Sequence, residues 1–333
     1  MFKKVIIYFM LKNQLFSLVV LATIWLQLFG YQGTPESQKT FSFEAGYAGL
    51  WRTPLKRLEF VTDGTLYSES HGYRYTTPFP KFRFNYSSGV RGALEWIQSQ
   101  SMSLEVVYTG LFHFNQSDSA TFSLSNYYVP IQPYSSASWQ NLTNLSYSYK
   151  SNLNSGELSF WNFLTPRYID FFSASWMLGV RYIDFRDKFY ITSTSAGYTT
   201  PASIFSINQM LGGQIGVQLQ CNPTSRFTWA VQAKGGAYAD FVKRSSVFYQ
   251  NGTQTVLFDN VEHRVRPDYT LELIPYIMYR LNPFFMKLAY DKIILFNPVF
   301  SPLQLKPSKS IDEVYTNNFV NFQMVYASFG FYW

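Results

Sequence analysis

Side chains that most often do chemistry are scarce in this sequence. It has three histidines, His71, His113 and His263, and a single cysteine, Cys221. One cysteine forms neither an internal disulfide nor a multi-cysteine metal site. The densest chemical group is Asp259, Glu262 and His263, where two carboxylates beside an imidazole could activate a water. That group falls in a predicted loop, so a solvated charge cluster is the simpler interpretation. His113 is expected to face inward. No serine stands at the second place after it, as a strand-borne His–Ser pair would need. The sequence shows no metal-ligand spacing, glycine-rich phosphate loop or nucleophile elbow. Gly212-Gly213 reads as a strand pair that permits curvature. The expectation is a protein that is not an enzyme and holds no cofactor or metal.

A second set of polar groups stands out by its spacing. Arg83, Arg91 and Glu95 alternate with Phe82, Phe84, Tyr86, Val90, Leu94 and Trp96. Glu105 lies opposite Leu104, Val106 and Tyr108, and Arg181 opposite Leu178, Val180 and Tyr182. Arg226, Lys234 and Asp240 alternate with Phe227, Trp229, Val231 and Phe241. Asp268, Glu272 and Arg280 oppose Tyr269, Leu271, Leu273 and Tyr279, and Lys287 and Asp291 oppose Met286, Leu288 and Tyr290. With Glu44 included, the acidic and basic members balance. Charges confined to one face of strands whose other face is apolar belong inside a barrel, where opposite signs can pair.

Period-two alternation over such lengths identifies the elements that position these charges as strands. Strands are expected at 40–51, 82–96, 102–114, 141–163, 172–187, 205–221, 226–244, 268–281 and 284–296, with a last one ending at Trp333. Short connections at 99–101, 164–171, 222–225 and 282–283 alternate with long ones at 52–81, 115–140, 188–204, 245–264 and 297–317. Short periplasmic turns against long extracellular loops are the layout of an up-and-down outer-membrane barrel. About ten strands are expected, twelve being the alternative.

Composition agrees with that class. Aromatic residues make up 20%, charged residues only 14% and hydrophobic residues 47%. That hydrophobic content argues against disorder, and no apolar run beyond the N-terminus reaches the ~20 residues of a spanning helix. The 27 Lys and Arg against 20 Asp and Glu give +7 with no basic run longer than two, so a nucleic-acid partner is not expected. Lys3-Lys4 followed by the apolar stretch Leu15–Trp25 has the form of an export signal. This assigns 1–33 to a signal peptide and 34–333 to a single barrel domain.

The last residues are the most specific signal. Val325, Ala327, Phe329, Phe331 and Trp333 alternate with Tyr326, Ser328, Gly330 and Tyr332. This pattern resembles the insertion signal of bacterial outer-membrane barrels, with Phe329, Phe331 and Trp333 as its aromatic positions. The resemblance implies the barrel assembly machinery and periplasmic chaperones as partners. It also implies outer-membrane lipids and lipopolysaccharide as surroundings, in a Gram-negative-type bacterium. The segments Trp176–Phe185, Asn208–Gly216 and Ala233–Gly236 are similar to the porin-like major outer-membrane proteins of Legionella and chlamydial relatives. They are also similar to an uncharacterised planctomycete barrel family. The expected function is therefore a porin-like channel for small polar solutes. The alternative is a structural or adhesin-like surface barrel with a side-chain-filled lumen.

Overall fold

The computed structural model describes residues 41–53, 62–63, 86–99, 101–121, 127–128, 142–164, 171–195, 197–249, 256–299 and 319–333. Arg83 and the expected signal segment 1–33 lie outside these residues. The described chain is all β. In order its strands are β1 (Phe41–Arg52), β2 (Thr62–Asp63), β3 (Ser87–Ile97), β4 (Met102–Thr121), β5 (Tyr127–Tyr128), β6 (Leu142–Phe163), β7 (Phe172–Ser195), β8 (Tyr198–Cys221), β9 (Phe227–Tyr249), β10 (Val256–Leu281), β11 (Phe284–Phe296) and β12 (Phe319–Tyr332). All but β2 and β5 close an antiparallel barrel in the order β1-β12-β11-β10-β9-β8-β7-β6-β4-β3, the ten strands expected. The short strands β2 and β5 pair with each other outside it. The seam is made by β12 on β1, with Phe331 opposite Phe43. Reciprocal 3.1 Å bonds between the Phe41 and Trp333 backbones clasp its end.

Each barrel strand turns large apolar side chains outward. On β7 these are Phe172, Trp176, Leu178, Val180 and Tyr182, and on β8 Leu219, Val217, Ile215 and Leu211, with Leu178 57% and Ile215 66% exposed. An apolar belt of this extent is untenable in water and is the surface that lipid covers. The span Phe172–Tyr182 fits the roughly 9–11 residues of a tilted membrane strand. Aromatic rings mark both edges. Near the short turns Phe41 stacks on Trp333 at 5.6 Å and Phe284 on Phe329 at 5.4 Å. At the far edge Tyr108 donates to Asn154 at 3.1 Å, Gln209 donates to Tyr182 at 3.1 Å, and the Tyr47 and Tyr86 hydroxyls share a hydrogen bond.

Three expectations about elements are corrected. The link at 188–204 is not a long loop: β7 and β8 pair to their ends, from Phe172 opposite Cys221 to Ser195 opposite Tyr198, with Gly197 at φ +82° between them. The link at 245–264 is mostly strand, so Asp259, Glu262 and His263 lie within β10. His113 does not face inward. A bulge between Thr109 and Phe112, with Leu111 at φ 66°, inserts an extra residue into β4. The insertion reverses the faces beyond it. Phe112 and Phe114 are buried, and His113 is exposed.

Beyond the far aromatic edge β4 and β6–β10 continue as a tall wall whose polarity is inverted, so the expected link at 115–140 is strand as far as Thr121. On β7 the outward residues become Arg186, Lys188 and Tyr190, while Phe185, Phe189 and Ile191 are fully buried inside. Unlike β4, β7 pairs with both neighbours without a bulge over this stretch. What changes is the surroundings: lipid outside below the edge, water outside above it.

Candidate functional site

The interior is built in layers, each set by the inward positions of several strands. Nearest the short turns, Arg280, Gln220 and Thr228 all donate to the Asn222 side-chain oxygen, at 3.0, 2.9 and 2.7 Å. Above them is a polar cavity of about 60 Å³ lined by Ser42, Glu95, Glu105, Trp161, Phe285, Lys287 and Tyr332, among others. Ser42 donates to Glu95 at 3.1 Å, and the Trp161 indole N–H donates to Glu105 at 2.9 Å. The cavity accommodates a few waters and falls well short of the ~300–1,000 Å³ of small-molecule sites.

The next layer is ionic. Arg91 meets Glu44 at 2.7 Å, Arg181 meets Glu272 at 2.7 Å and Lys234 meets Glu157 at 2.8 Å, all buried. Ser328 and Lys287 also donate to Glu44, at 2.8 and 3.4 Å. Arg181–Glu272 joins β7 to β10, and Lys234–Glu157 joins β9 to β6, so these bonds run across the lumen rather than along the wall. Aromatic faces hold the cations from the side: Arg91 lies 4.7 Å from the Tyr326 ring centre and Lys287 4.6 Å from that of Tyr276. Asp291 is buried beside Glu272.

Above the ionic layer the lumen is apolar. Leu50, Phe112, Leu153, Ile183, Phe185, Ile293, Leu295, Phe322 and Met324 belong to one buried cluster drawn from six strands. Phe185 and Phe322 meet edge-on at 5.8 Å, with β7 supplying one ring and β12 the other. Inside this layer Arg52, at the end of β1, crosses to Asp187 on β7 at 3.5 Å and donates to Ser151 at 3.0 Å. Its guanidinium lies between the Tyr149 and Phe185 rings, 5.4 and 5.2 Å from their centres, and the Tyr149 hydroxyl donates to Asp187 at 2.6 Å. At the rim the chain beyond β11 folds inward. Val299 donates its N–H to the Asn208 side chain at 2.9 Å, and Asn208 donates back to the Val299 carbonyl at 2.9 Å.

The expected inward charges are distributed through these layers. Arg91, Glu95, Arg181, Lys234, Asp240, Asp268, Glu272 and Asp291 are buried, and Glu105, Arg280 and Lys287 half-buried. Asp240 and Asp268 flank Arg266, at 3.2 and 3.9 Å. Arg226 departs from the expectation: it is exposed in the turn preceding β9, because its strand begins one residue later. Phe329 is exposed on the barrel's outer face, Phe331 and Trp333 lie half-buried with ring centres 4.9 Å apart, and Tyr332 packs inward on Phe285 at 4.9 Å. Sequence reasoning missed Arg52, Glu157, Asp187 and Arg266. Glu157 carried a usable signal, since it continues the odd-numbered inward series of Leu153, Ser155 and Ser159.

No family model matches the chain, and no curated protein is similar to it in sequence. The finer resemblance to Legionella, chlamydial and planctomycete barrels is therefore without sequence support. Solved structures similar to it are bacterial outer-membrane barrels. The outer-membrane protease OmpT of Escherichia coli has a TM-score of 0.42 at 10% identity, over 91% of this chain and 99% of its own. CarO of Acinetobacter baumannii has a TM-score of 0.28 at 12% identity, over 86% and 97%. The monoaromatic hydrocarbon channel CymD has a TM-score of 0.34 at 11% identity, over 90% of each chain. The presence of a protease in this group contradicts the expectation that the chain is not an enzyme.

Proposed function

We propose that the chain is an outer-membrane barrel that closes its own lumen and works from its outer surface, as a structural or surface-interaction barrel. One observation carries this: the ionic layer is capped by a continuous apolar layer in which Phe185, Phe322, Leu50 and Phe112 are at most 1% exposed. A diffusion pore needs a wet, uninterrupted path, and side chains of this size fill a barrel of about eight strands and slightly wider ones. The tall wall of β4 and β6–β10 is then a platform that carries the connecting segments away from the lipid. The expected export signal and the aromatic end at Phe329, Phe331 and Trp333 fit delivery by the barrel assembly machinery.

A second proposal, a channel for small polar solutes, is favoured by the polar, ion-paired half of the lumen and its cavity beside Glu95, Glu105 and Lys287. It requires the apolar layer to move aside. Swelling of vesicles carrying the full chain, driven by a gradient of small sugars, separates the two. The closed barrel swells no faster than protein-free vesicles, and solute-dependent swelling would favour the channel.

A further inference from the structure

We infer that the outward face of β6–β9, just beyond the far aromatic edge, binds the phosphate groups of a lipid A-type glycolipid in the outer leaflet. The inference rests on the outer-membrane proposal and adds the site and the chemistry that recognises the lipid. Four exposed cations cluster there: Lys150 on β6, Arg186 and Lys188 on β7, and Lys243 on β9. Lys150 and Lys188 are directly opposite each other across the β6–β7 pairing. Like charges in that position destabilise a sheet, and an anion between them turns the repulsion into a binding site.

The other two cations flank that pair. Arg186 is opposite Ile207, and Ile207 is opposite Lys243, so the two cations stand in one cross-strand row two strands apart. Their backbones are therefore separated by about 10 Å. Asp184 is the acid at this face, and it serves to aim Arg186, which it holds at 2.8 and 2.9 Å. The Arg186 side chain nevertheless remains 46% exposed. Lys188 is braced over the Phe205 ring, 5.2 Å from its centre.

Directly below on the same strands run Tyr182, Val180, Leu178, Leu211 and Ile215, the outward apolar belt. One amphiphile can therefore lay its acyl chains on the belt and its phosphates on the cations. Near the same rim the outward positions Gln323 on β12 and Ser88 on β3 are uncharged and β11 adds a single cation, Lys292, opposite Gln323, so the cations are concentrated in the β6–β9 sector. Position at the long-link end selects an outer-leaflet lipid over an inner-leaflet phospholipid.

The test uses the full chain refolded in phosphatidylcholine vesicles containing bisphosphorylated lipid A, dephosphorylated lipid A or phosphatidylglycerol. Lipid retained after mild detergent extraction is measured by mass spectrometry. Lys150→Gln with Lys188→Gln, and Arg186→Gln with Lys243→Gln, are compared with the unaltered chain. Bisphosphorylated lipid A should be retained selectively, with retention falling roughly fivefold for each cation removed. Heat-modifiable migration of the folded barrel should not change. Equal retention of dephosphorylated lipid A, equal retention of phosphatidylglycerol, or indifference to all four substitutions would overturn the site. Failure of the unaltered chain to insert into any of the vesicles would instead overturn the membrane proposal on which it rests.

Discussion

Arg52 and Asp187 are fully buried in the apolar layer, from strands on opposite sides of the barrel. Charges so placed are tolerable only together. Their attraction and hydrogen bonds roughly offset the cost of leaving water, whereas removing one partner leaves the other uncompensated, at about 3–5 kcal/mol. Arg52→Met should therefore destabilise the barrel by that order in urea unfolding. Arg52→Met with Asp187→Asn should recover most of the loss, since an amide keeps the Tyr149 contact without a charge. Equal destabilisation by the single and double variants would show that the pair does not hold the lumen together.

At the scale of strands, two devices decide which side chains reach the interior. The bulge at Leu111 turns Phe112 and Phe114 inward. Deleting Leu111 alone removes the extra residue and leaves Phe112 and Phe114 inward opposite Leu153 and Ser151, so the heat-modifiable folded form should survive. Deleting Gly110 and Leu111 together should instead throw both rings outward and leave a void in the apolar layer. Burying a phenylalanine is worth about 3–5 kcal/mol against alanine, so the double deletion should abolish the folded form. Retention of that form by the double deletion would place the facing of these rings outside the determinants of the core. The bulge was illegible in the sequence because Gly110, Phe112 and Phe114 continue the even-numbered apolar run of Leu104, Val106 and Tyr108 without a break. The barrel class, the ten strands, the short turns and most inward charges were legible, since one rule, apolar out and polar in, holds throughout the membrane belt. Above the belt that rule inverts. Phe189 and Ile191 then read as lying past the strand when they continue it, which is why β7–β10 were cut short and Arg266 was missed; Arg52 stands one residue beyond the expected first strand, and Asp187 is the last residue of the expected 172–187 strand.

For the molecule as a whole, the inversion fixes where the bilayer ends. Leu178 lies mid-belt, and Tyr190 lies on the same outward face of β7 above the edge. A cation at the bilayer midplane costs about 2–4 kcal/mol and near or beyond the interface about 0–1 kcal/mol. Leu178→Arg should lower unfolding stability by the larger amount and Tyr190→Arg by almost nothing; equal penalties would move the boundary.

The same inversion stacks a polar layer, which suits a channel, beneath an apolar layer, which blocks one. The central claim is that the apolar layer keeps the lumen shut. It is tested most directly by single-channel recording in planar bilayers, comparing the unaltered chain with Phe185→Ala combined with Phe322→Ala. The unaltered barrel should be electrically silent, and removing the two rings that meet across the lumen should produce discrete conductance steps. Steady conductance from the unaltered barrel at the level of the double variant would contradict the claim.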